Sequence, residues 1–287
     1  MLPKVFKIKK MIFAKAIIIS FSTAFILSLF LSKVNAQGNL LVTPKRVVFE
    51  GSKRSEELNL ANTGKDSATY DISFIQIRMK EDGSMENITE PDSAQLFADK
   101  YLRFFPRTVT LAPNEAQTVK VQIRRADEMS AGEYRSHLYF RAVPNLKPLG
   151  DTDSKDTSGI SVRLVPIFGI SMPVIVRVGE SNAEVSLSGI PELNKDSIQV
   201  LQLTFIRKGN MSVYGDVTVD HISPEGKIRH VGITKGLAVY TPNTVRKFTL
   251  PLNTTSGINY HSGKLHVVYT NKIDKEAKLA ETYIDLN

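Results

Sequence analysis

The feature that most constrains this chain is the period of its apolar residues, which is two almost everywhere. "TVKVQIRR" (Thr118 to Arg125) puts Val119, Val121 and Ile123 on one side and Lys120, Gln122 and Arg124 on the other. "LNLAN" (Leu58 to Asn62), "YDISFIQIRM" (Tyr70 to Met79) and "YRSHLYFRAV" (Tyr134 to Val143) read the same way. Side chains on a strand alternate between faces, so this period marks half-buried β-strands. Turn clusters punctuate the runs: "NTGKDS", "APNEAQ" and "SAGE". No sustained helical period occurs downstream of the N-terminus, and only a short turn is expected within "DSAQLFADKYL". The chain is therefore predicted to be all-β, with short and regularly spaced strands of the sandwich kind.

The N-terminus is set apart. Met1 to Lys15 carries five lysines and no acid, Ala16 to Leu31 is uncharged, and "SKVNAQ" follows with small residues at Val34 and Ala36. This is the order of a secretory signal, with cleavage expected after Ala36. The apolar run is shorter than the ~20 residues of a bilayer-spanning helix, so no stable membrane anchor is expected. Removing the signal's six lysines takes the net charge from +8 to +2. The basic character thus belongs to export, and a nucleic-acid partner is not expected.

The chain has no cysteine, which excludes both a lipid-anchored signal and disulfide staples. Stability must come from burial, for which the 251 residues after the signal suffice, and two domains is the natural expectation. Polar small residues break the apolar pattern at "RVGESNAEV" (Arg177 to Val185), after which about seven strands' worth of alternation restarts. The expected organisation is a signal over 1–36, a first domain over 37–178 and a second over 183–287. Two polar insertions in the first domain, Lys80 to Gln95 and Asn145 to Gly159, are read as loops.

Catalytic patterns are lacking. The five histidines, His137, His221, His230, His261 and His266, form no recognised metal-ligand spacing and are read as surface residues. There is no Gly-x-Ser-x-Gly elbow, no Gly-rich phosphate loop and no thiol. Neither an enzyme nor a cofactor is expected.

Three stretches, taken in order, resemble the PapD-like periplasmic chaperones of pilus assembly. "KRVVFEGSKRSEELNLANTG" resembles the family's opening strand and turn. "FFPRTVTLAPNEAQTVKVQIRR" resembles its Leu-x-Pro-x-x-x-Gln-x-Val segment, and "GEYRSHLYFRAVP" its Arg-Ser strand. "ISVRLVPIFGISMPVIVR" then ends on an Arg in the family's manner. The resemblance covers about 140 residues in good order; the second half matches only as a sandwich of the right size.

It implies two immunoglobulin-like sandwiches in tandem, set like a boomerang, in a periplasmic protein that holds pilus or fimbrial subunits. Such subunits lack a final strand, and the chaperone lends one; an outer-membrane usher is a further partner. On this chain the lent face would be Ile160, Val162, Leu164, Pro166 and Phe168, with Val165 and Ile167 turned to the protein's own core. Arg46 matches the family's cleft arginine, which grips the client's terminal carboxylate by two parallel hydrogen bonds. The family's cleft lysine falls on Pro173, and Ile160 to Val178 contains no lysine. The rival reading is an exported two-sandwich structural or adhesive protein with no client, its Ile160 to Phe168 face covered by its own loop. An exported hydrolase would instead need converging titratable groups.

Overall fold

The computed structural model describes residues 40–144, 166–192, 199–253, 258–274 and 277–286. The signal expected over 1–36 and the Asn145 to Gly159 insertion lie outside them, as do Ile160, Val162 and Leu164.

The first sandwich is built from β1 (Leu40–Thr43), β2 (Val47–Phe49), β3 (Ser55–Asn62), β4 (Ala68–Met79), β5 (Met85–Ile88), β6 (Leu102–Phe105), β7 (Thr108–Leu111), β8 (Ala116–Ile123), β9 (Gly132–Val143) and β10 (Gly169–Val178). One sheet has the order β1-β3-β8-β6. The other runs β2-β10-β9-β4-β5, with β7 also on β4. Alternation does what the sequence requires: Val119 and Val121 of β8 are buried while Lys120 and Gln122 are exposed. They meet Phe49, Leu58, Leu60, Ile72, Leu138 and Phe140 in one core between the sheets. Burial of each such side chain is worth about 1.5–3 kcal/mol.

The second sandwich follows with β11 (Glu184–Glu192), β12 (Val200–Lys208), β13 (Val213–Ile222), β14 (Ile228–Val239), β15 (Val245–Pro251), β16 (Lys264–Asn271) and β17 (Lys278–Asp285). Its sheets are ordered β11-β12-β15 and β14-β13-β16-β17. Leu201, Leu203 and Phe205 pack there against Val217, Val219, Val267 and Tyr269.

Asn62, which closes β3, explains why that strand ends in an amide. Its Nδ2 donates to the carbonyls of Asp66 (2.8 Å), Leu111 (3.1 Å) and Ala112 (3.2 Å), and its Oδ1 accepts from the Gly64 N–H at 2.9 Å. One buried side chain thus satisfies the turn's backbone groups, which a buried loop could not otherwise do.

The Lys80 to Gln95 insertion is not simply a loop. Met85–Ile88 pairs with β4 as a hairpin, because "EDGS" supplies a complete turn. Asp82 Oδ1 accepts from the Ser84 N–H (2.9 Å) and hydroxyl (2.6 Å), and Gly83 takes a φ of +82°, which glycine adopts without strain. The turn docks on β15: the Lys247 N–H donates to the Glu81 carbonyl at 2.6 Å, and the Arg246 guanidinium lies against Gly83.

Candidate functional site between the sandwiches

β10 pairs parallel with β2 through Val174↔Val47, Ile175↔Val48 and Val176↔Phe49, and antiparallel with β9 throughout. Even-numbered side chains from Met172 to Val176 enter the first sandwich's core; Ile175 faces the other way, joining Met79, Ala238 and Tyr240 in a cluster shared with the second sandwich. The outward face of this sheet is therefore the floor of a crevice. On β9 that face carries Glu133, Arg135 and His137, all buried.

Glu133 ties the halves together. Its Oε2 accepts from Arg177 Nε (3.1 Å), from the Ser212 N–H (3.0 Å) and from the Ser212 hydroxyl (2.7 Å), and its Oε1 accepts from the Thr241 hydroxyl at 3.3 Å. Arg177 Nη2 also donates to the Ser212 carbonyl at 2.8 Å. Arg177, the penultimate residue of β10, was legible in the sequence. Glu133 was not, because an isolated acid after a Gly reads as a turn residue.

Arg46 enters this crevice. Its Nη1 donates to the Tyr240 hydroxyl at 3.1 Å, and its guanidinium lies 4.4 Å from the centre of the Tyr214 ring and 5.3 Å from that of Tyr240. Both tyrosines belong to the second sandwich. Arg46 also lines an open cavity of about 400 Å³ with Val48, Arg177, Ser212 and Tyr214. Lys45, its neighbour, is exposed.

Pro173, where the family's lysine would stand, pairs with His137, and the next outward-facing pair is Ile175 with Arg135. Arg135 lies 4.2 Å from the centre of the Tyr240 ring, on which Arg46 also rests. It is 3% exposed, and Nη2 donates weakly to the Ile77 carbonyl at 3.4 Å, while Nε and Nη1 have no hydrogen-bond partner among the described residues. Burial lowers its pKa, opposed by Tyr240 and Glu133. Besides Arg177 of β10, which is tied to Glu133, the crevice thus receives a further cation from β9, on the strand next to Pro173.

His137, expected at the surface, is buried beside these two guanidiniums. Burial first, then Arg135 and Arg46, push its pKa down to about 3, so the imidazole is neutral. His221 is also buried, with Nε2 at 3.0 Å from the Ser262 carbonyl. His230 and His266 contact Asp220 (2.9 Å) and Glu281 (2.6 Å) as cross-strand pairs on sheet faces. Among the described residues, no three His, Asp or Glu side chains converge as a metal site.

Of the expected lent face, Pro166 and Phe168 are described, and both are exposed, Phe168 at 50%. Ile170 is 38% exposed. Ile167, expected to face the protein's own core, is 43% exposed, because β10 begins only at Gly169 and the pairing with β2 only at Val174. Between Gly169 and Pro173, β10 has β9 on one side and no paired strand on the other among the described residues.

No family model matches the chain, and no curated protein does. Similar solved structures include the class 5 fimbriae chaperone CfaA (16% identity, TM-score 0.42, covering 86% of this chain and 99% of that one). Two others are the chaperone–tip subunit pre-assembly complex CsuC–CsuE of the archaic chaperone-usher Csu pili of Acinetobacter baumannii (11%, 0.43, 87% and 98%) and the E. coli chaperone DraB (11%, 0.42, 88% and 98%). The tandem sandwich is established by the strand pairings of this chain itself, and all three of these similar structures are of chaperones.

Proposed function

We propose that this protein is a periplasmic, non-enzymatic chaperone of the PapD-like type, which holds pilus or fimbrial subunits lacking a strand by lending them β10 and the residues before it. One observation carries the reading: the apolar face of β10, buried from Met172 to Val176, runs on into solvent at Ile170 and Phe168 beside an edge with no paired strand among the described residues. An open edge with apolar side chains is a template for another chain's strand. The strand would carry affinity, since a few large apolar side chains outweigh one charged anchor of about 1.5–3 kcal/mol.

Arg46 would set register by taking the client's terminal carboxylate, with Arg135 adding positive potential from below. Arg46 Nη1 contacts a tyrosine hydroxyl, and among the described residues its other N–H groups make no hydrogen bond that would compete with the paired bonds a carboxylate accepts. Delivery to an outer-membrane usher and passage through a cleaved signal over 1–36 belong to the same proposal. The exposure of Pro166, Phe168 and Ile170 favours it over a client-free structural protein, whose corresponding face would be covered by its own loop.

The test is co-expression with a strand-deficient pilus subunit, comparing wild type, Phe168→Arg and Arg46→Ala. Soluble subunit should fall sharply with Phe168→Arg and less with Arg46→Ala. Equal recovery in all three overturns the reading.

A further inference from the structure

A second recess, of about 810 Å³, opens in the first sandwich between β6 and β4. Four cations line it, Lys100, Arg103, Arg107 and Lys120, against a single acid, Asp99. None of the four has a carboxylate within ion-pair distance among the described residues. On a chain that is nearly neutral once its signal is set aside, this is a local concentration of unpaired positive charge.

The floor is aromatic. Phe74 and Phe104 meet edge to face at 5.1 Å, the Arg107 guanidinium lies 5.3 Å from the Phe104 ring centre, and Phe105 is 76% exposed. The walls offer backbone as well as side chains. β6 pairs with β8 on one side, and its other edge has no paired strand among the described residues. Across the recess β4 pairs with β7 only as far as Asp71 and with β5 only from Gln76, which leaves Phe74 beside an open stretch.

We propose that this recess docks an extended acidic segment of a partner polypeptide, added as a strand along the free edge of β6. Register sets the pattern it would need. Arg103 pairs with Gln122 and Phe105 with Lys120, so Arg103, Phe105 and Lys120 share the solvent face of that sheet. An added strand presents every second side chain to that face. Its matching residues are therefore an acid opposite Arg103 and an apolar group opposite Phe105, while Lys120, one strand further back in the row of Phe105, adds positive potential. Backbone pairing supplies affinity and the charges supply selectivity and speed of encounter. A nucleic acid would use the cations but leave the strand edge unpaired. The proposal stands apart from strand lending by β10, whose residues it does not use.

The test uses the mature chain and a blocked, fluorescein-labelled peptide of about eight residues, a strand's length, alternating Glu with Val around a central Phe. Fluorescence anisotropy should show saturable binding that weakens as added salt shortens the screening length. Arg103→Glu with Lys120→Glu should reduce affinity at least about tenfold, as should N-methylation of the peptide's pairing edge. Far-UV circular dichroism of the variant should match wild type, since both side chains are exposed. The proposal is overturned if no binding occurs, or if the charge-reversed variant binds as well. Equal binding of a Lys-for-Glu peptide, or equal competition by oligo-dT or phosphatidylglycerol vesicles, overturns it too.

Discussion

Replacing Glu133 by Ala removes the acceptor of four hydrogen bonds, three of which cross between the sandwiches. What remains is worse than a lost contact. The Arg177 side chain, 15% exposed, loses its nearest counter-charge, since its other carboxylate neighbour, Glu50, is 3.8 Å away and half exposed. The Ser212 N–H and hydroxyl are orphaned in the same buried spot. Removing one partner of a buried ion pair costs about 3–5 kcal/mol, chiefly because the other charge is stranded. Against a total stability of about 5–15 kcal/mol this is a large fraction. Urea unfolding of the mature chain, followed by far-UV circular dichroism because the chain lacks tryptophan, should show the midpoint moving down. Arg177→Met alone strands the carboxylate and should cost a similar amount. The double variant leaves no orphan charge, so its loss should fall short of the sum of the singles by at least about 1 kcal/mol. A single-variant loss under about 1 kcal/mol, or strict additivity, refutes the reasoning.

Three further outcomes are expected. His137 is neutral when folded, with a pKa depressed to about 3, and returns to about 6.5 when unfolded. The unfolded chain then binds the extra proton, so His137 contributes full stability above pH 6.5 that is lost as pH falls toward 3, about 2 kcal/mol by pH 5; His137→Asn should flatten that part of the unfolding profile. Asn62→Ala should cost about 2–3 kcal/mol in urea unfolding, since it orphans three buried or half-buried carbonyls and the Gly64 N–H. Phe168→Arg should leave stability within about 0.5 kcal/mol of wild type while lowering subunit recovery, whereas Val174→Arg, at a fully buried position on the same face, should prevent folding.

Much of the fold was legible because strand signals are local. Val119, Val121 and Lys120 announce their faces within one short stretch, and the burial matches them. The hairpin at Met85–Ile88 was missed because its strand is short and polar, and its stability comes from the Asp82–Gly83–Ser84 turn and the docking on β15. The two buried histidines were missed because a lone His in a strand carries no mark of what covers it. Arg46 could be singled out by its place before an apolar triplet, yet nothing local tells that Tyr214 and Tyr240 would receive it.

The amino-acid sequence by itself determined an all-β chain with two alternating halves, because the side-chain period of a strand is a property of neighbouring residues. Only the tertiary structure decided the fate of the outward face of β9. Glu133, Arg135 and His137 alternate with Tyr134, Ser136 and Leu138 as solvent-facing residues would, and they are buried because a second sandwich, distant in sequence, lies over them. The same long-range packing left Phe168 and Ile170 outside, beyond the point where β2 stops pairing.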